Sequence, residues 1–182
     1  MKKLLILSSF LLILASCGWS STATDDSSVT SISWTWFSMN VPKSWTNVEQ
    51  KALPNTKNGK IEIAYTSSEI SAWFANNLVV LSENLTAKTT SLEYGITNYV
   101  RTTWSVLDYL KLSETNFKFS DGDESKIYTF EAKYSASTPK RKFLQTTKVC
   151  DSKGYLVTVW INLDNTSTSK YENLLKSFKC VK

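Results

Sequence analysis

One stretch of helical periodicity, set between runs of alternating periodicity, constrains this chain more than any other feature. Leu92, Ile96, Tyr99, Val100, Thr103 and Leu107 recur at the spacing of a single helix face. Thr90 followed by Glu93 forms a capping box that marks where the helix starts. Gly95 weakens the helix interior by about 1 kcal/mol relative to Ala, so burial of the apolar face is expected to compensate. On both sides the period is two. Phe37, Met39 and Val41 alternate with polar residues before Pro42, and Ile61, Ile63 and Tyr65 face inward from a strand at 60–65. That strand follows Asn58-Gly59, a strong hairpin signal. Further strands fall at 77–85, 111–119, 127–134, 140–149 and 154–163, with Tyr128, Phe130, Ala132 and Tyr134 on one face. Tyr155 to Ile161 is apolar on nearly both faces and predicts a central strand. A last helix carries Tyr171, Leu174, Leu175 and Phe178 at i, i+3, i+4 and i+7, with Ser169 and Glu172 as a second capping box. Segregated helices and antiparallel strands make the class α+β, a helix–sheet–helix sandwich.

The N-terminus follows different rules. Lys2 and Lys3 precede an apolar run, Leu4 to Leu14, that ends in Leu14-Ala15-Ser16-Cys17. The run falls short of the roughly 20 residues that span a bilayer core. A charged segment, a short apolar segment and a small-residue cut site before Cys resemble a bacterial lipoprotein signal peptide with its lipobox. That resemblance implies removal of residues 1–16, acylation of Cys17 and an extracytoplasmic chain anchored to the cell membrane or outer membrane. Gly18 after Cys17 permits outer-membrane sorting by the same resemblance. Residues 17–31 are small and polar and read as a flexible tether, with no fixed structure expected before about Ile32. The globular domain occupies 32–182.

Composition closes off several chemistries. Histidine is absent, which excludes Ser-His-Asp and Cys-His catalysis, His-ligated zinc and a histidine pH switch. The formal charge is +5, two of it from Lys2 and Lys3. The remainder is too weak for a nucleic-acid partner. Lys140-Arg141-Lys142, with Lys148 nearby, reads as a solvated strand end. Once Cys17 is acylated, Cys150 and Cys180 are the remaining pair, and the compartment permits a disulfide between them. Geometry agrees: Cys150 ends a strand before a turn, and the final helix must return along the sheet towards it. Asp121-Gly122-Asp123-Glu124 is an acidic cluster that lapses before a calcium loop is complete, so it reads as a turn. Glu62, Glu83, Glu93 and Glu131 look like solvated carboxylates. No metal or cofactor is implied.

Phe37 to Trp45, Asn77 to Val80, Ser91 to Tyr94 and Lys176 to Phe178 resemble motifs of the PsbP/DcrB-like domain. The resemblance covers about 32–180. It implies an antiparallel sheet of about six strands with helices on both faces. The family includes thylakoid-lumen photosystem subunits and bacterial lipoproteins, generally without enzymatic activity. Its plant members' metal-associated histidines have no counterpart here. The function expected is a non-catalytic binding or assembly module of the cell envelope, with a protein partner. A small-ligand carrier with a pocket between sheet and long helix is the alternative, and a hydrolase without histidine a third.

Seven Trp against five Gly inverts ordinary usage, in which Gly is about 7%. Trp19, Trp34 and Trp36 stand in Ser/Thr-rich stretches where turns favour Gly. Either some are stop-type codons that the source organism reads as glycine, or they are exposed aromatics of a binding or membrane-interface patch. Trp45 and Trp160 read as core residues under both. Intact mass and peptide sequencing of the native protein separate the two: tryptophan at all seven positions excludes recoding.

Overall fold

The computed structural model describes residues 28–181 apart from 57, 72 and 73. The signal segment, Cys17, Trp19 and most of the expected tether lie outside that range. The chain forms β1 (Val29–Ser33), β2 (Phe37–Pro42), β3 (Trp45–Asn47), a 3-10 turn (Gln50–Ala52), β4 (Lys60–Ser71) and β5 (Phe74–Asn84). Then follow α1 (Ser91–Ser105), β6 (Leu107–Lys118), β7 (Glu124–Lys133), β8 (Arg141–Cys150), β9 (Lys153–Ile161), α2 (Ser169–Lys176) and β10 (Lys179–Cys180). Seven strands form one antiparallel sheet in the order β3-β4-β5-β9-β8-β7-β6, and β1-β2-β10 form a smaller one. The apolar β9 is the central strand.

Two neighbouring residues of β9 show how the layers stack. Gly154 lies under the ring of Tyr94 from α1, while Tyr155 meets Phe37 of β2 at 5.3 Å. Successive strand residues point to opposite faces, so α1 covers one face and the small sheet the other. Phe37 also stacks on Phe178, ring centres 4.8 Å apart. Met39, Val41, Trp45, Tyr171, Leu174 and Leu175 complete this main core. A second cluster, Tyr128, Phe130, Ala132 and Phe143, sits on the α1 side.

Several expectations need correction. Among the described residues structure is already in place before Ile32, because β1 pairs with β2 from Val29 opposite Pro42 to Ser33 opposite Ser38. The β-branched Val29, Thr30 and Ile32 suit that added strand. Asn58-Gly59 is no two-residue hairpin: β3 and β4 pair as Trp45 opposite Ser67, with a long connection between them. Gly59 instead takes φ +79° where a side chain would strike the Ser82 carbonyl. The second capping box is absent, since Ser169 is already helical and Thr168 stands at the cap position, where its hydroxyl donates to Glu172. Glu62 is buried, because the β4 register shifts around it between Ile61 and Ile63. Its carboxylate accepts from Ser82 Oγ at 2.6 Å and pairs with Lys60 at 3.4 Å.

Cys150 and Cys180 are joined, with Cα atoms 5.6 Å apart. The bridge pins β10 to the end of β8. Closing a loop of 30 residues stabilises the fold by roughly 3.5 kcal/mol in the chain-entropy model.

Lys148 is not solvated. It shares the Tyr155 face of the sheet, and its side chain is 2% exposed. Its ammonium lies 2.8 Å from Asp121, 3.0 Å from Asp123 and 4.5 Å from the Phe119 ring centre. The acidic turn that looked like half a calcium loop thus neutralises an internal cation. Burial works against ionised Asp123, but the Ser91 hydroxyl and Lys148 outweigh it and hold its pKa below the usual carboxylate value. A depressed pKa adds stability above the unfolded value, and that stability is lost as pH falls through the folded one. Lys148→Met is expected to lower unfolding free energy by about 2–3 kcal/mol, less than a fully buried pair because both carboxylates are partly exposed. Urea unfolding across acidic pH checks both points: the variant should show a weaker acid dependence than the parent.

Candidate interaction surface

The capping box holds: Glu93 N–H donates to Thr90 Oγ1 at 3.2 Å, and Thr90 N–H to Glu93 Oε2 at 2.8 Å. The face that α1 buries is a different one from that expected. Ser91, Tyr94, Gly95, Asn98 and Thr102 turn inward. Leu92, Ile96 and Val100 of the predicted apolar face are exposed instead. Leu107 is not helical at all but opens β6, also exposed. Tyr99 alone of that set packs inward, stacking on Tyr128 at 4.2 Å and meeting Tyr109 edge-on at 6.2 Å.

The reason is the sheet beneath. Thr147 donates to the Ser91 carbonyl at 2.8 Å, and Ser125 to the same oxygen at 3.3 Å. Ser91 Oγ donates to Asp123 at 2.5 Å and accepts from Val149 N–H at 2.8 Å. One turn from the other end, Thr102 donates to Gln145 at 3.0 Å, and Gln145 to Thr158 at 3.1 Å. A sheet surface of Thr, Ser and Gln must be met by hydrogen-bonding groups, since each left unpaired would cost about 1–3 kcal/mol. Small residues at 91, 95, 98 and 102 provide both the partners and the close approach. The signal was present in the sequence: a polar, small stripe at i, i+4, i+7 and i+11, matched by Gln145 and Thr147 on the facing side of β8.

The outer surface of α1 therefore carries an apolar stripe beside the polar Glu93, Thr97 and Arg101. Leu92, Ile96, Val100 and Trp104 repeat every four residues along it, and Trp104 is 86% exposed. Beside it, β6 is the end strand of its sheet, with no strand on its outer side among the described residues. Leu107, Leu110 and Leu112 are exposed there. Register shifts between Leu107 and Leu110 and between Lys111 and Ser113, with a left-handed Asp108 (φ 52°), bend the edge, which discourages open-ended strand addition. Between helix and edge, Glu114 binds both Lys111 and Lys126. These two ammonium groups hold its carboxyl below the usual range. Burial, then Glu114 and Tyr99, push the Tyr128 hydroxyl up to about 12.

Two clefts lie elsewhere. One of about 300 Å³ runs between the β1–β2 pair and α2, lined by Val29, Pro42, Tyr171 and Leu174 with Asn40, Lys170 and Asn173. Another of about 240 Å³ is polar, around Lys60, Glu62, Glu83 and Lys153. Neither is the pocket expected between sheet and long helix. That space is filled by the hydrogen bonds and rings described above.

No family model and no curated protein matches the sequence. Among solved structures, the solution structure of cyanobacterial PsbP (CyanoP) from Synechocystis sp. PCC 6803 superposes with TM-score 0.61 at 15% identity, over 92% of this chain and 99% of that one. The fold is PsbP-like. A second solved chain, from Bacteroides thetaiotaomicron VPI-5482, is matched at 12% identity over 81% of this chain and 46% of that one, with TM-score 0.41. At 15% identity the likeness to the cyanobacterial protein concerns the fold alone.

The PsbP-like sandwich makes the seat of α1 testable. Helix propensity predicts that Gly95→Ala gains about 1 kcal/mol. A Cβ there would stand 2.7 Å from Thr147 Oγ1, which cannot move without releasing Ser91. Gly95→Ala is expected to destabilise by about 1–2 kcal/mol instead, the cost of overpacking. Thermal unfolding of the purified variant decides the sign.

Proposed function

We propose that this chain is a lipid-anchored, extracytoplasmic, non-catalytic binding module that presents the outer face of α1 and the neighbouring β6 edge to a protein of the cell envelope. The observation that carries the reading is the apolar stripe Leu92, Ile96, Val100 and Trp104 on a helix whose inner face is small and polar. A helix normally turns its apolar stripe to the core. Contiguous apolar surface left outside marks an interaction site. The resemblance of residues 1–17 to a lipoprotein signal supplies the compartment, and the Cys150–Cys180 bridge suits an oxidising one. The PsbP-like fold suits a module that works by holding partners.

A photo-crosslinking residue at position 96 or 100, expressed in the native envelope, is expected to give discrete protein adducts that are absent from exposed position 51. Val100→Asp should abolish the adducts formed at 96 while leaving the thermal midpoint unchanged. Absence of adducts at both positions would refute the surface. The anchor is tested apart from it: Cys17→Ser should leave the membrane fraction, and retention through salt and carbonate washes would refute acylation.

A further inference from the structure

The face opposite α1 carries its own exposed aromatics. The turn between β1 and β2 presents Trp34 and Trp36, 42% and 49% exposed. Trp34 N–H donates to the Phe37 carbonyl at 2.7 Å, and the Trp36 carbonyl accepts from Val181 N–H at 3.0 Å. The backbone of the tip is thus fixed while both indoles stay outside the core, unlike buried Trp45. Val181 is exposed beside them. The Lys153 ammonium stands 5.5 Å over the Trp36 ring and 3.9 Å from Glu62. Lys179 of β10 lies opposite Ser38 on the same small sheet and is exposed.

We propose that this hairpin tip is a contact for an anionic bilayer surface, with Trp34 and Trp36 entering the headgroup layer and Lys153 and Lys179 meeting lipid phosphates. The proposal rests on the lipid-anchor reading above. Reach supports it. Cys17 stands 11 residues before Ser28, a span of at most about 40 Å. From Val29, β1 runs about 17 Å to the tip, so the tether lets the tip reach the surface that holds Cys17. Because α1 lies beyond the large sheet, roughly 20 Å further by layer spacing, a tip-down pose leaves the apolar α1 face free. Chemistry supports it as well. Indole has an apolar body with one N–H donor and gathers at membrane–water boundaries, and nearby lysines strengthen attraction to anionic lipid. Two tryptophans serve no turn geometry, which favours Gly, Asn, Asp or Pro.

The test uses the processed chain carrying Cys17→Ser, which cannot be acylated, with vesicles of phosphatidylcholine with or without phosphatidylglycerol. Sedimentation is expected with anionic vesicles. The Trp34→Ser/Trp36→Ser pair should lower the partition coefficient about tenfold. Lys153→Gln and Lys179→Gln should each lower it about fivefold, on anionic vesicles alone. Trp104→Ser, on the opposite face and within the stripe proposed to bind protein, should leave vesicle partition unchanged. Parent-like partition of the Trp34/Trp36 variant, an equal loss in Trp104→Ser, or glycine at 34 and 36 in the native protein would overturn the proposal. A native protein without an acyl group on Cys17 would instead overturn the anchor reading, whatever the vesicles show.

Discussion

The structure depends on the hydrogen-bonded seat of α1 on a polar sheet face. Ser91 is its centre, with its carbonyl accepting from two hydroxyls and its own hydroxyl joining Asp123 to the β8 backbone. Groups this well buried must be paired or the fold loses free energy. The pairing demands close approach, which Gly95 allows and a larger residue would prevent. With Ser91, Gly95, Asn98 and Thr102 on the inner face beside Tyr94, the helix's aliphatic residues are left to the outside. The exposed stripe is a consequence of how the helix is seated.

The other face of the sheet obeys the ordinary rule. Phe37, Tyr155 and Phe178 interlock there, and aromatic pairs of this kind add to what area burial alone supplies. The acidic turn links the two faces. Asp123 accepts from Ser91 under α1 and from Lys148 on the core side, so one carboxylate couples the helix seat to a buried ammonium. The disulfide closes the same end of the molecule, as Cys150 is two residues beyond Lys148.

β2 and β7 were legible in the sequence because their alternation reflects burial on a pleated surface, and β9 because apolar residues on both faces mark a covered strand. The α2 face was legible for the same reason, with Tyr171, Leu174, Leu175 and Phe178 all in the core. The capping box of α1 was legible too, since it needs only local partners. The buried face of α1 was not, because periodicity reports where apolar residues lie and not which side faces water. Reading it correctly required pairing the small stripe at 91, 95, 98 and 102 with the hydroxyl-rich run on β8. Glu62 was misread because a register shift inside a strand leaves no local sign in an Ile-Glu-Ile run. Lys148 was misread because its counterions are supplied 25 and 27 residues earlier in the chain, at Asp123 and Asp121.

Perturbed titrating groups mark catalytic sites or structural ion networks, and their partners tell which. Here Glu114 is held down by Lys111 and Lys126 at the sheet edge, and Asp123 by Ser91 and Lys148 despite its burial. The tyrosines pushed upward, Tyr65, Tyr94, Tyr109, Tyr128 and Tyr155, owe it first to burial. Each of these perturbations has a partner or packing cause within the fold. The surplus of the molecule lies elsewhere, in apolar side chains that the fold does not use. Two groups of them, the outer face of α1 and the tip of the β1–β2 hairpin, lie on opposite sides of the large sheet. On the proposed reading, the rigid sheet between these two surfaces holds a partner at a set distance from the membrane.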